Sequence, residues 1–177
     1  LVADFWQDSY GNFGSTAHDA DGIMLSESAQ FSDGYSYTDT YDANGNLLSE
    51  VWNGGDGNSG SSSYVYDADG TLLSGTWEDS GSHGSDTYNA DGSSSGASYS
   101  ADGSYYTYTY DGLGAYGQLD YGADGSLTGS YTETSDGLGN SAGATFDANG
   151  ARLSDSWYQA DGSWGSDTFN ADGSSLG

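Results

Sequence analysis

Short segments of alternating polar and apolar residues, separated by turns that contain glycine, run along the whole chain. The clearest example is Tyr64 to Trp77, in which two alternating halves flank the turn from Asp67 to Gly70. Alternation with a period of two places successive side chains on opposite faces of a β-strand. The pattern therefore predicts an all-β protein of short strands joined by tight turns, with no helix.

The turn sequence predicts a particular hairpin. Asp at the first position and Gly at the fourth favour a type I turn, in which the Gly takes a positive φ and forms a G1 bulge. This geometry gives a loop of three residues between the paired strands. In the hairpin around Asp67 we expect Tyr66 to face Leu72 and Val65 to face Leu73.

The glycines of these turns recur at regular intervals of 11, 12 or 13 residues. They are Gly11, Gly22, Gly34, Gly45, Gly57, Gly70, Gly81, Gly92, Gly103, Gly114, Gly125, Gly137, Gly150, Gly162 and Gly173. No interruption marks a domain boundary, so we expect residues 1–177 to form a single continuous β-repeat array. The array is either an antiparallel β-hairpin meander or a β-solenoid, with about 11–13 residues in each strand–turn unit.

Two stretches differ from the average repeat. The Gly-rich stretch from Asn53 to Ser63 lacks apolar residues, and we interpret it as a loop. The stretch from Ser104 to Asp111 alternates throughout and has aromatic residues at both phases of the alternation. We expect it to be the strongest strand, because aromatic and β-branched residues favour strands.

The chain is extremely acidic, with 27 Asp and Glu residues against one basic residue, Arg152, and a net charge of −26. Nucleic acid is therefore excluded as an expected partner, because contacts with phosphates need Lys and Arg. No apolar run approaches the length that crosses a bilayer, so we expect no membrane insertion. The absence of Cys excludes disulfides and thiolate metal sites.

Oxygen-bearing side chains recur in the turns as Asp/Asn-x-Asp/Asn-Gly. Calcium binds several oxygen ligands, so these side chains are candidate calcium ligands. The candidates are Asp19, Asp21, Asp42, Asn44, Asp67, Asp69, Asn89, Asp91, Asp147, Asn149, Asn170 and Asp172. The simpler explanation, which we prefer, is that Asp and Asn form turns through their own hydrogen bonds. No cofactor is then required, and Ca²⁺ remains the candidate ion.

The sequence predicts no catalytic residue and no enzyme. Glu27, Glu50, Glu78 and Glu133 are isolated on predicted strands, and the Asp residues are regular members of turns. A glycosidase would need a pair of carboxylates set apart for the reaction. Ser is abundant, but no Gly-x-Ser-x-Gly elbow occurs with a matching His context.

The phrases YDANGNLLS from Tyr41, YVYDADGTLL from Tyr64 and YTYDGLG from Tyr108 resemble the YD-repeat family of Rhs-type and teneurin-like secreted proteins. The phrase SDTFNADGSS from Ser166 is similar to segments of very large, acidic, hemolysin-type secreted adhesins of bacteria. Both resemblances imply a repeat protein that is extracellular or at the cell surface. Neither implies a catalytic residue.

Together these features predict an extracellular structural repeat protein. Its copies would self-assemble into a fibre or biofilm matrix, or the chain would form the stalk of a large secreted adhesin, with itself or neighbouring repeats as partner. The alternative is a module that binds a glycan or a cell surface through its aromatic ladders, with turns stiffened by calcium.

Overall fold

The computed structural model describes residues 1–170 and 173–175. In these residues the chain forms fifteen β-strands and no helix. The strands are β1 (Val2–Gln7), β2 (Phe13–His18), β3 (Met24–Gln30), β4 (Ser36–Tyr41), β5 (Leu47–Asn53), β6 (Ser59–Tyr66), β7 (Leu72–Asp79), β8 (Ser82–Tyr88), β9 (Ser94–Tyr99), β10 (Tyr105–Tyr110), β11 (Tyr116–Tyr121), β12 (Leu127–Ser135), β13 (Ser141–Asp147), β14 (Arg152–Tyr158) and β15 (Trp164–Thr168).

The strands follow one another in the sheet in chain order, from β1 to β15. Each strand is therefore antiparallel to its neighbours in the sequence, as in the pairs β4–β5 and β10–β11. The prediction of an all-β antiparallel hairpin meander is confirmed. The solenoid alternative is excluded, because a solenoid would place strands from successive coils side by side.

The tight turns have the predicted geometry. In the turn after β4, the backbone N–H of Asp42 donates to the carbonyl of Asn46 at 2.9 Å, and the N–H of Gly45 donates to the carbonyl of Asp42 at 3.1 Å. Gly45 has a φ of 85°, which a residue with a side chain rarely adopts. All fifteen glycines named from the sequence take a positive φ, so the prediction of the turn positions is confirmed.

The predicted pairing beyond the turn was wrong by one residue. Tyr66 faces Leu72 as expected, but Val65 faces Ser74 and not Leu73, with a register shift between Val65 and Tyr66. A second bulge, beyond the turn, makes Leu73 an extra residue of β7 and moves every later pair of the hairpin by one. The same shift occurs beside Tyr41.

The Gly-rich stretch is only partly a loop. Strand β6 begins at Ser59, so the interpretation of Asn53 to Ser63 as a loop was wrong for its second half. Strand β6 pairs with β5 on one side and with β7 on the other. These two ladders of backbone hydrogen bonds override the weak strand propensity of Gly and Ser.

The chain divides into two compact units. Unit 1 is Leu1–Ser85 and contains β1 to β7 and the beginning of β8. Unit 2 is Asp86–Gly177 and contains the rest of β8 and β9 to β15.

Neither unit has an apolar core of the usual kind. Among the described residues, the buried ones are Gly14, Ala29, Gly75, Gly84 and Ala144. Each of these has no side chain or a single methyl group, and no larger side chain of the described residues is buried. Large side chains therefore stay accessible on the two faces of the strands, and each unit is a single layer.

Candidate functional site

The strand register divides the side chains of unit 1 between two unlike faces. Side chains alternate along each strand and directly paired residues share a face, so rows can be followed from strand to strand. We call one face the aromatic–acidic face. Its main rows are Trp6-Gly14-Ala29-Tyr37-Trp52-Gly60 and Asp4-Thr16-Glu27-Asp39-Glu50-Ser62-Trp77.

We call the opposite face of unit 1 the hydroxyl face. Its rows are Phe5-Ser15-Ser28-Thr38-Val51-Ser61-Glu78, Ala3-Ala17-Ser26-Thr40-Ser49-Ser63-Thr76 and Gln7-Phe13-Gln30-Ser36-Asn53-Ser59. Within these rows Glu78 is the single charged residue. The two faces therefore differ sharply in charge, although both belong to a chain of net charge −26.

Hydroxyl groups on the hydroxyl face bond to one another across strands. Ser15 and Ser28 share a hydrogen bond of 3.0 Å between their Oγ atoms, and Ser63 Oγ and Thr76 Oγ1 share one of 2.6 Å. A shallow trough of about 510 Å³ lies on this face, and Phe5, Phe13 and Val51 are among its lining residues. Phe5 is 81% exposed and Val51 is 56% exposed, so this face presents apolar groups to solvent.

Three carboxylates face one another across the strands of the aromatic–acidic face. Asp39 on β4 is directly paired with Glu27 on β3 and with Glu50 on β5. Directly paired residues have Cα atoms only about 4.5–5.5 Å apart, so like charges at such positions destabilise a sheet. Glu27 and Glu50 are isolated in the sequence, and the pairing of three consecutive strands brings them together with Asp39.

Tyrosine hydroxyls partly compensate this row of negative charge. Tyr37 Oη donates to Oε1 of Glu27 at 3.1 Å, and Tyr41 Oη donates to Oδ2 of Asp39 at 3.4 Å. Partial burial, the hydrogen bond to Glu27 and the nearby negative charges raise the pKa of Tyr37 to about 12. Partial burial raises the pKa of Asp39 above its usual 3.8, and the charge of Glu27 acts in the same direction.

The first Asp of each turn holds the turn together. Oδ1 of Asp67 accepts backbone N–H groups from Asp69 and Thr71, both at 2.9 Å. The first Asp residues of three further candidate turns make the same pair of bonds, namely Asp19, Asp42 and Asp147. The side-chain amide of Asn46 donates to Asp42, and this bond and the backbone bonds lower the pKa of Asp42.

In a second kind of turn, the carboxylate of the third residue accepts the hydrogen bonds that hold the turn. Oδ1 of Asp91 accepts both the backbone N–H of Ser93 at 2.9 Å and its hydroxyl at 2.6 Å, and these bonds lower the pKa of Asp91. The side-chain amide of Asn89 donates to the same hydroxyl at 2.9 Å. This arrangement was not predicted from the sequence, although the triplet Asp-Gly-Ser marks it. It recurs at Asp102, Asp124 and Asp161.

The remaining calcium candidates do not converge on a common point. Asp21, Asn44, Asp69 and Asn149 are exposed, and their backbone N–H groups donate to the first Asp of the turn. Asn170 donates to the hydroxyl of Ser174 at 2.9 Å, whereas Asp172 lies outside the described residues. No group of three or more acidic or His side chains among the described residues is arranged to hold a metal ion. The turn hydrogen bonds give each first Asp a structural role without a metal.

In unit 2, as in unit 1, the charged side chains are divided unevenly between the two faces of the strands. One face of β9 to β13 carries the rows Tyr99-Tyr105-Tyr121, Ala97-Thr107-Leu119-Ser130-Phe146 and Ser95-Thr109-Gly117-Thr132-Ala144, none of which is charged. The rings of Tyr105 and Tyr121 stack with centroids 4.5 Å apart. On β14 and β15 this face carries Asp155 directly opposite Asp167, and Arg152 pairs with Asp155.

The opposite face of unit 2 pairs tyrosines with carboxylates. Tyr108 Oη donates to Oδ1 of Asp86 at 2.5 Å, and Tyr131 Oη donates to Oε2 of Glu133 at 2.8 Å. Partial burial and the bond to Asp86 raise the pKa of Tyr108. The same combination of tyrosines and acids therefore recurs in each unit.

Comparisons with known proteins do not assign the chain to a family. No protein-family model matches it, and no curated protein matches it. In the part of the chain that the structure describes, no helix is long and apolar enough to span a membrane. The structure itself defines an antiparallel β-repeat meander whose two faces differ in chemistry.

Proposed function

We propose that this chain is a structural β-repeat protein that acts by association of its copies, outside the cell or at the cell surface. The observation that carries the proposal is the absence of a core in the described residues, where only Gly and Ala are buried. A sheet with two accessible faces gains apolar burial by packing against another surface. Placement outside the cell rests on the resemblance to secreted repeat proteins.

The character of the polar groups agrees with a structural role. The turn carboxylates accept hydrogen bonds from their own turns, and the strand hydroxyls bond to one another. Groups used in this way hold the repeat together. The fibre, the matrix and the adhesin stalk are the forms that such a protein would take.

Sedimentation velocity over a wide range of protein concentration tests this proposal. We expect the 18.3 kDa monomer to give way to larger species as concentration rises, with filaments or layers visible by negative-stain electron microscopy. Each sample is measured with calcium and with a chelator. This comparison tests the alternative explanation of the turn carboxylates, in which bound calcium stiffens the turns. A single monomeric species under all conditions would contradict the proposal.

A second candidate function is glycan binding, and one observation in unit 2 favours it. A depression of about 510 Å³ has Trp157, Tyr158, Asn140 and Gln159 among its lining residues. Exposed aromatic side chains suit the apolar face of a sugar. Titration with neutral oligosaccharides, followed by tryptophan fluorescence in the native chain and in Tyr158→Ala, tests this function. Saturable binding by a monomer that Tyr158→Ala weakens would favour it over self-association.

A further inference from the structure

We propose that the hydroxyl face of unit 1 is the self-association surface of this protein, and that the hydroxyl face of a second copy packs directly on it. The inference rests on the proposed function, because it names the surface through which the copies associate. A surface that packs on its own copy is self-complementary, and it produces a two-fold symmetric contact that joins the copies in pairs; growth from pairs to a filament or layer uses a further contact.

Charge is the first reason for this choice of surface. Two copies of net charge −26 repel each other wherever their acidic residues meet. The aromatic–acidic face carries Asp4, Glu27, Asp39 and Glu50 in one row, so contact through that face would bring like charges together. The hydroxyl face has Glu78 alone in its three rows, at the β7 end. It is the face of unit 1 on which two copies can approach at the lowest electrostatic cost.

The size of the side chains is the second reason. One of the two outer rows of the hydroxyl face consists of Ala, Ser and Thr throughout, from Ala3 on β1 to Thr76 on β7. Small side chains allow two sheets to approach to about 10 Å, the usual spacing of packed sheets. The larger groups Phe5, Phe13 and Val51 stand beside a trough of about 510 Å³, which can receive the same groups from a second copy.

Hydrogen bonding on the face is the third reason. The pairs Ser15–Ser28, Thr40–Ser49 and Ser63–Thr76 satisfy one another within the face. Burial of a hydroxyl group is tolerated when it keeps a hydrogen bond, so these pairs lower the cost of covering the face. The same pairing leaves fewer donors and acceptors for a sugar, so a second copy fits this face better than a glycan does.

The area of the face is sufficient for a stable contact. Strands β1 to β7 are six to eight residues long. Seven strands spaced about 4.8 Å apart, with about 3.3 Å per residue, give a face of roughly 600–700 Å². Specific protein interfaces bury about 800 Å² on each partner, so the face approaches the standard size.

Two adjacent serines on β6 provide a matched test in the full-length chain. Ser61 lies on the hydroxyl face and is directly opposite Glu78, whereas Ser62 lies on the aromatic–acidic face and is directly opposite Glu50. Both serines are half-buried, so Ser61→Glu and Ser62→Glu add the same charge next to the same kind of neighbour within one chain. Thermal unfolding of each variant at low concentration shows whether the intramolecular costs are equal.

The two variants are compared with the native chain by sedimentation velocity across a concentration series. We expect Ser61→Glu to weaken association roughly tenfold or more, because it buries a charge between the copies. We expect Ser62→Glu to associate like the native chain. If the native chain associates and both variants weaken it equally, or only Ser62→Glu weakens it, this inference is overturned while the proposed function stands. If the native chain stays monomeric at every concentration, both are overturned.

Discussion

The indole ring of Trp52 lies over the backbone of Gly60, its direct partner on the next strand. A Cβ atom at position 60 would lie 2.7 Å from Nε1 of Trp52 and 2.6 Å from the carbonyl oxygen of Glu78. Trp6 covers Gly14 and Trp157 covers Gly165 in the same way. The large apolar groups of this sheet therefore find cover on neighbouring glycines and not in a core between two layers.

This relationship predicts that Gly60→Ala destabilises the protein. Gly is normally unfavourable inside a strand, and its replacement by Ala usually stabilises a strand by about 0.5–1 kcal/mol. At position 60 the added methyl group collides with the indole and a carbonyl oxygen, so we expect a loss of about 1–3 kcal/mol in the free energy of unfolding. Urea unfolding monitored by tryptophan fluorescence measures this change.

Gly117→Ala is the matched control for this prediction. Gly117 also lies inside a strand, but the nearest atom to an added Cβ is Oγ1 of Thr109, at an ordinary contact distance of 3.5 Å. We expect this variant to be at least as stable as the native chain. Equal effects of the two substitutions would show that the Trp52–Gly60 contact has no energetic role.

The row of acids across β3, β4 and β5 predicts a second result. Asp39→Asn removes the central charge between Glu27 and Glu50 and keeps an oxygen that can accept from Tyr41. We expect the free energy of unfolding to rise by about 0.5–1 kcal/mol at neutral pH, since like charges in direct register are destabilising. Asp79→Asn removes one charge from the same face opposite Gly60, and it should change stability less.

The pH dependence of stability follows from the directions of the pKa shifts. The raised pKa of Asp39 means that the folded state binds this proton more tightly than the unfolded state, so stability rises as pH falls toward that pKa. Asp42 and Asp91 have lowered pKa values, and the stability they contribute is lost as pH falls below their usual 3.8. Stability should therefore pass through a maximum on the acidic side of neutrality.

Thermal unfolding across a pH series checks this profile. In Asp39→Asn the rise in stability between neutral pH and the maximum should become smaller, while the loss at lower pH should remain. If the stability of the native chain falls steadily as the pH is lowered from neutral, the role assigned to the row of acids is contradicted.

The hydrogen bonds of the turns predict how the protein responds to calcium. Because Oδ1 of Asp67 already accepts two backbone N–H groups, we expect calcium to act by general screening of negative charge. Calcium and magnesium at equal ionic strength should then raise the melting temperature equally. Asp67→Asn keeps the oxygen acceptor and should respond like the native chain. A saturable stabilisation by calcium alone, lost in Asp67→Asn, would instead establish a specific site.

The sequence predicted the local structure well because turn chemistry and alternation are local properties. The Asp-to-Gly turns and every predicted turn Gly were placed correctly. The pairing partner of Val65 was predicted wrongly because a bulge shifts the register by one residue, and the composition of the turn does not reveal this shift. The strand at Ser59 was missed because its pairing with two neighbours decides its conformation.

The candidate surfaces were harder to predict, because they depend on the register of each strand with its neighbours, followed across several consecutive strands. Glu27, Asp39 and Glu50 are separated by eleven or twelve residues, and only the pairing of three strands shows that they form one row. The uncharged character of the hydroxyl face is likewise invisible until each row is followed across β1 to β7. Among the predicted calcium residues, the first Asp of four turns uses a carboxylate oxygen to accept backbone N–H groups of its own turn, namely Asp19, Asp42, Asp67 and Asp147.

The most direct test of the account is the chemical accessibility of the two faces during association. The chain has no Cys, so Ser61→Cys and Ser62→Cys each carry a single reactive thiol on one known face. The rate of maleimide labelling is measured for each variant at low and at high protein concentration. The account predicts that the thiol at position 61 becomes protected at high concentration while the thiol at position 62 keeps its rate. Equal rates at both positions under associating conditions would contradict it.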